Sequence, residues 1–233
     1  MLSNSSLKIL AIIFMLIDHI AATNVLNLSI NSYPYIIMRS IGRLAFPIFA
    51  FLIVEGYFYT RNIKLYLTRL LIFAFISEIP FNLAFYNSLF YIKHQNVFFT
   101  LFLGLLSIKL YEEYKEDNIQ QANFSVILIG LISVILHTDY NIFGILMIFA
   151  YYYFRGDYKH LFTSILIINL LIIIEPIIEV LKNPLSFTLV DFIQIFAILA
   201  LILIKQYNHK KGLSLKYIFY VFYPLHLLVL YLI

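Results

Sequence analysis

Apolar residues run through this chain in blocks long enough to cross a bilayer, and no polar stretch between them could fold as a separate soluble domain. A soluble core cannot absorb a 233-residue sequence that is 63% hydrophobic and only 12% charged, whereas lipid solvates the excess. The expected fold is an all-α polytopic transmembrane helix bundle, a single membrane domain over residues 1–233. Spans are expected at 7–26, 39–59, 65–85, 97–114, 124–137, 140–154, 161–181, 187–204 and 215–233, so about nine membrane segments. The fifth and sixth are short, and read either as tilted helices or as a re-entrant pair meeting at His137-Thr138-Asp139-Tyr140-Asn141.

Charge then sets an expected orientation. With the N-terminus inside, all of the 16 Lys and Arg fall on the cytoplasmic side except Lys93, Lys182 and the pair Arg39 and Arg43. The positive-inside rule favours that arrangement, N-terminus in and C-terminus out, and the abundance of Ile, Asn, Lys and Tyr suggests an AT-rich bacterial genome and so a bacterial cell (inner) membrane as the expected location. The first segment starts at Lys8 as a signal peptide does, but Asp18-His19 interrupts its core and the apolar run is too long, so it is read as a retained anchor. With no Cys, disulfides, thiolate metal sites and acyl-cysteine intermediates are excluded. With no Trp, the 19 Tyr must form the interfacial belts. The seven Gly form neither a dinucleotide fingerprint nor a phosphate loop, no internal repeat stands out, and no His or carboxylate spacing suggests a metal.

The polar residues inside the apolar runs carry the functional argument. An ionised carboxylate in a span costs at least about 2.5–3.5 kcal/mol, so Asp18 and its neighbour His19 are expected to face protein. Lys8 and His19 are eleven residues apart, which places them within about 20° on one helical stripe and about 16 Å apart in depth. A surface cation and a mid-membrane imidazole on one stripe suit a long anionic cofactor with its reactive end inward; lipid phosphate on Lys8 and a helix contact at His19 are the plainer alternative. Asp18 points about 100° from His19 and is expected to pair with Arg39 or Arg43, or to stay protonated.

Further along, Arg39 and Arg43 share a face near the outer leaflet, Pro47 is expected to bend the second span, and Glu55 lies near its inner end. Glu78 and Asn82 share a face around Pro80, suggesting a broken helix that presents polar groups to a cavity. Arg61, Lys64 and Arg69 either hold phosphates or simply mark the cytoplasmic side. In the last segment His226 lies at a depth similar to that of His19.

Taken together, the stretches "LKILAIIFMLIDHI", "IGRLAFPIFAFLIVEGYFYTR", "LLIFAFISEIPFNLAF", "QNVFFTLFLGLL" and "FYVFYPLHLLVLYLI" resemble the TraX family, whose founding activity is N-terminal acetylation of conjugative pilin. More distantly, the first segment resembles membrane acyl-CoA transferases. These carry a basic residue, usually arginine, with ten residues between it and an essential histidine; here Lys8 and His19 stand in that relation.

The resemblance implies an integral membrane acyltransferase that moves an acetyl or other acyl group from cytoplasmic acyl-CoA to an amine or hydroxyl of a peptide, glycan or other polymer. It implies His19 as general base or acyl relay, with Asp18 beside it, and Arg43 stabilising developing charge. Lys8, Arg61, Lys64 and Arg69 would hold acetyl-CoA phosphates, and Arg39, Glu55, Glu78, Asn82 and His226 would shape the acceptor site. Membrane lipids are the other expected partners; a metal and nucleic acid are not expected. Two other classes fit the same polar residues: a small proton-coupled transporter using Asp18, His19, Glu55, Glu78 and His226 as a relay, and a scaffold whose polar groups only fix packing.

Overall fold

A computed structural model describes residues 1–213 and 216–233 of the chain. It is built of helices: α1 (Asn4–Ala22), α2 (Tyr33–Gly42), α3 (Ala45–Tyr59), α4 (Ile63–Tyr86), α5 (Val97–Tyr114), α6 (Ile119–Ile135), α7 (Asn141–Tyr153), α8 (Tyr158–Ile172), α9 (Ile174–Lys182), a 3-10 stretch (Leu189–Leu199) running into α10 (Ala200–Ile204), and α11 (Lys216–Leu232). Among the described residues no strand forms beyond two isolated bridges, Leu2 with Tyr207 and Gln95 with Thr138. Asn4–Ala22, Tyr33–Tyr59 and Ile63–Tyr86 are long and apolar enough to cross a membrane, and the bent pair α8–α9 makes a fourth candidate. The start of the predicted last segment, Leu215, lies outside the described residues.

Prolines explain where helices break. Pro47 lacks the N–H that would reach the carbonyl of Arg43, and the break between α2 and α3 falls at Arg43-Leu44. Pro176 likewise cannot bond Ile172, and a 44° bend separates α8 from α9 there, so segment 161–181 is two helices rather than one. Pro80 behaves differently from the expectation: α4 continues through it from Ile63 to Tyr86. Loss of one hydrogen bond near the end of a 24-residue helix leaves enough turns on the N-terminal side to hold the axis. Segment 187–204 also departs from a uniform α-helix, because Leu189–Leu199 winds as a 3-10 stretch that Gln194 ties to Asn169 of α8 (3.0 Å).

The bundle is organised around α1, α3, α4, α5 and α7. Helix α1 packs on α2, α3 and α11; α4 on α5 and α11; and α5 on α6 and α7. One buried apolar cluster draws residues from α1, α3, α4, α5, α7, α8, α10 and α11, among them Leu7, Ile48, Leu70, Ile108, Met147, Ile165, Leu201 and Leu227. Without a water-driven force between helices in lipid, such contacts rest on close van der Waals fit. Gly144 shows the tolerance: a Cβ there would stand 3.2 Å from the Phe46 ring and 3.0 Å from Tyr140. Helices α6 and α7 pack as neighbours, and the turn between them holds His137, Tyr140 and Asn141 at positive φ.

The N-terminal residues meet the loop at 206–213 at one face of the bundle. Leu2 N–H donates to the Gln206 carbonyl (2.7 Å), Asn4 N–H to Lys210 (2.9 Å), and Leu213 N–H to Ser5 Oγ (3.0 Å). The loop before α11 is thereby fastened across the start of α1, whose first turn is capped by Ser3 Oγ accepting from Ser6 N–H.

Candidate functional site

A cavity of about 470 Å³ opens beside that fastened loop. Its charged lining comprises Lys8 of α1, Glu55 at the end of α3, Arg69 near the start of α4 and Lys211 of the loop. The remaining walls are apolar and aromatic, including Phe49, Leu52, Leu70, Phe98 and Leu101. It follows α1 inward as far as Met15 and meets Tyr223 of α11. A shape of this kind accepts a ligand with an anionic end at the cationic rim and an apolar arm.

Behind Tyr223 sits a pair of histidines. His19 Nδ1 and His226 Nε2 are 2.7 Å apart, and the rings stack at 5.0 Å with 10° between their planes. His226 Nδ1 lies 2.8 Å from the Phe222 carbonyl. A carbonyl only accepts, so His226 Nδ1 carries a proton and donates; neutral His226 therefore accepts at Nε2, and His19 Nδ1 donates to it. Among the described residues the chain of two bonds leaves the His19 Nε2 lone pair unengaged, as a general base requires. Tyr223 stands edge-on to both rings, 6.1 Å from His19 and 5.6 Å from His226. Phe85 closes another side at 5.3 Å.

His19 is placed nearer one face than expected. Helix α1 ends at Ala22, with Thr23 Oγ1 donating to the His19 carbonyl (2.7 Å), so His19 sits one turn from the helix end and not at its middle. The expected segment 7–26 included residues that instead turn, with Asn24 and Asn27 at positive φ.

Asp18, on the neighbouring face, makes a second cluster. Its carboxylate accepts from Arg39 Nη1 (2.6 Å) and from Arg43 Nη2 (2.9 Å to each oxygen). All three side chains are largely buried. Gly42 makes the approach possible, since a Cβ there would overlap the Asp18 carboxylate. Of the two outcomes open for Asp18, pairing is the one found.

Other residues fall elsewhere. Glu78 and Asn82 do not line the cavity: Glu78 accepts from Asn96 Nδ2 (2.5 Å) and ties α4 to the start of α5, while Asn82 donates to the Leu89 carbonyl (3.5 Å) in the loop that follows α4. With α4 unbroken, there is no helix gap into which they could point. Arg61 and Lys64 are exposed and outside the cavity, because they sit before and within the first turn of α4 while Arg69 comes round to the inner face. Glu55 is buried and accepts from Arg155 Nε and Nη2, both at 3.0 Å.

Sequence reasoning missed three contributors. Lys211 reads only as a topology signal until the loop is fastened over α1; Arg155 lies 100 residues from Glu55; and Tyr223 is one of many tyrosines. A further polar group at the opposite face joins His94 to Asp139 (3.5 Å) and to the Tyr86 hydroxyl (2.6 Å), in loops outside the expected spans. The hydrogen bond and charge of Asp139 raise the His94 pKa above its ordinary value, against desolvation.

Comparison with known proteins bears on the whole chain. No solved structure matches it. It is 32% identical over 238 residues to a protein named probable fimbrial assembly protein FimC, serogroup H1, of Dichelobacter nodosus, covering 96% of this chain and 92% of that relative. The family model described as TraX protein matches residues 3–233. The chain belongs to the TraX family.

Proposed function

We propose that the protein is a membrane acyltransferase that moves an acetyl group from cytoplasmic acetyl-CoA to an amine or hydroxyl presented at the other side of the bilayer. The observation that carries this reading is the cavity that runs from a rim of Lys8, Arg69 and Lys211 to the tyrosine covering an oriented histidine pair. In this reading the polypeptide crosses the membrane nine times with the N-terminus inside, so the cationic rim faces the cytoplasm and its acyl-CoA pool. The name of the fimbrial relative supports a peptide acceptor, a fimbrial or pilin subunit, over a glycan.

The chemistry is a simple displacement. The acceptor N–H or O–H loses its proton to His19 Nε2 as its heteroatom bonds the acyl carbon; the C–S bond breaks, and the proton returns to the CoA thiolate. The His19 imidazolium is supported through Nδ1–H by His226, whose own orientation is held by the Phe222 carbonyl. Arg43, balanced by Asp18, places positive potential on the flank of α1 next to His19, where it favours the negative charge that develops on the acyl oxygen.

The transporter reading requires its acids and histidines to communicate. Asp18 belongs to the Arg39–Arg43 cluster, Glu55 to Arg155, Glu78 to Asn96 and the histidines to each other, so no hydrogen-bonded relay links them among the described residues. The deciding experiment is acetyl-CoA turnover by purified protein in detergent, wild type against His19→Ala at matched folding. Free CoA release with an added peptide amine, abolished in the variant, is expected. Uptake of solute into liposomes without any CoA dependence would overturn the reading.

A further inference from the structure

The rim of the cavity contains two buried polar atoms, one on Glu55 and one on Arg69, that no hydrogen bond among the described residues satisfies. Glu55 is 1% exposed, and Arg155 engages only its Oε1; among the described residues Oε2 has no partner at hydrogen-bond geometry. Arg69 Nε is likewise buried and unpartnered, with its guanidinium 5.6 Å from the Tyr66 ring. Native proteins satisfy nearly all buried polar atoms, and an orphan in a cavity wall is a place where a ligand group completes the bond.

Arg155 fixes one side of Glu55. Arg155 does not line the cavity but holds Oε1 through two nitrogens, and is itself laid 4.2 Å over the Phe58 ring. That neutralises Glu55 from one side while its free oxygen is left for the other. Tyr207 is also in the lining; burial, then the Glu55 charge and a side-chain interaction with Glu55, raise its phenol to about 12, so it stays protonated and approaches the carboxylate without satisfying Oε2. One acceptor thus stands among the cations Lys8, Arg69 and Lys211.

A purely polyanionic ligand would be repelled by that carboxylate, and a lipid acyl chain would leave both orphans unsatisfied. The complementary ligand carries phosphates together with an N–H or O–H donor on the same end, which is the chemistry of a nucleotide. We propose that Glu55 Oε2 is the specificity determinant for the nucleoside of the donor, accepting a hydrogen bond from the base amine or the ribose 2′-hydroxyl while Arg69 Nε and the two lysines take phosphate oxygens. The proposal rests on the acyl-CoA reading and adds to it the group that distinguishes a nucleotide from other phosphates.

Binding to the full-length protein in detergent tests it, with adenosine 3′,5′-bisphosphate, its inosine counterpart and its 2′-deoxy counterpart as probes. Wild type is expected to bind the adenosine compound about tenfold more tightly than one of the other two, and which one identifies the donor group. Glu55→Gln is expected to lose that preference while binding 4′-phosphopantetheine, which has no nucleoside, as wild type does. Equal wild-type affinity for all three nucleotides, or an undiminished preference in Glu55→Gln, overturns the role of Glu55 and leaves the acyltransferase reading standing. If the variant does not fold, the three-ligand comparison on wild type decides alone. Binding of neither coenzyme A nor the bisphosphate to wild type overturns both.

Discussion

Asp18 and His19 are neighbours on one helix and solve the problem of polarity in an apolar bundle in opposite ways. Asp18 is answered with charge, two guanidiniums closing on one carboxylate, and Gly42 lets the helices meet. His19 is answered with a neutral hydrogen-bond chain ending at a backbone carbonyl. A buried ion pair is rigid and costly to break on one side, whereas a neutral imidazole chain can gain or lose a proton with little rearrangement. Under the proposed function the difference separates anchoring from chemistry: Asp18 holds α1 against α2, and His19 would be the group that reacts.

The contrast is broken most directly at Asp18. Asp18→Asn strands two buried arginines and is expected to destabilise the protein by about 3–5 kcal/mol, seen as a lower unfolding temperature in detergent. An Asp18→Asn protein as stable as wild type would remove the anchoring role. His19→Ala is expected to do the reverse, lowering turnover by about 10²–10⁴-fold while unfolding changes little. Parallel losses of stability and activity in that variant would make His19 a packing residue. Gly42→Ala should cost about 1–3 kcal/mol, because the new methyl displaces the Asp18 carboxylate; thermal unfolding beside Gly130→Ala, whose methyl would meet only the Ile142 side chain, reports whether the position is special.

Smaller effects sharpen the histidine side. His226→Ala frees the His19 tautomer and is expected to reduce turnover by about 10–100-fold, with His226→Gln partly restoring it through its amide oxygen. Equal activity in both variants would show that the ring of His226, not its acceptor atom, is what matters. The smallest expected effect lies at the opposite face. His94 titrates above its ordinary value because Asp139 favours the imidazolium. That contact therefore contributes fully below about pH 6.5 and is lost as pH rises through the raised folded value. Asp139→Asn should return the NMR titration of His94 towards about 6.5; an unchanged curve would dismiss the pair.

Much of this was legible in the residues. The apolar runs announce the helices, Lys8 and His19 fall on one stripe by period alone, and the matching depths of His19 and His226 foreshadow their contact. What was not legible depended on context. Pro47 and Pro176 break their helices but Pro80 does not, since the outcome depends on where in a helix the lost hydrogen bond falls. Arg61, Lys64 and Arg69 are alike in composition, yet only Arg69 turns into the cavity. Glu78 and Asn82 were candidates for a cavity; Glu78 serves a helix junction instead, and Asn82 the loop that follows α4.

Local chemistry, in the end, accounts for the helical class and for the handful of polar groups that lipid would not tolerate, because period and transfer cost act residue by residue. Partner choice belonged to the tertiary structure alone. Glu55 meets Arg155 across 100 residues and His19 meets His226 across 207, and no local preference encodes a contact that only the packing of distant helices creates.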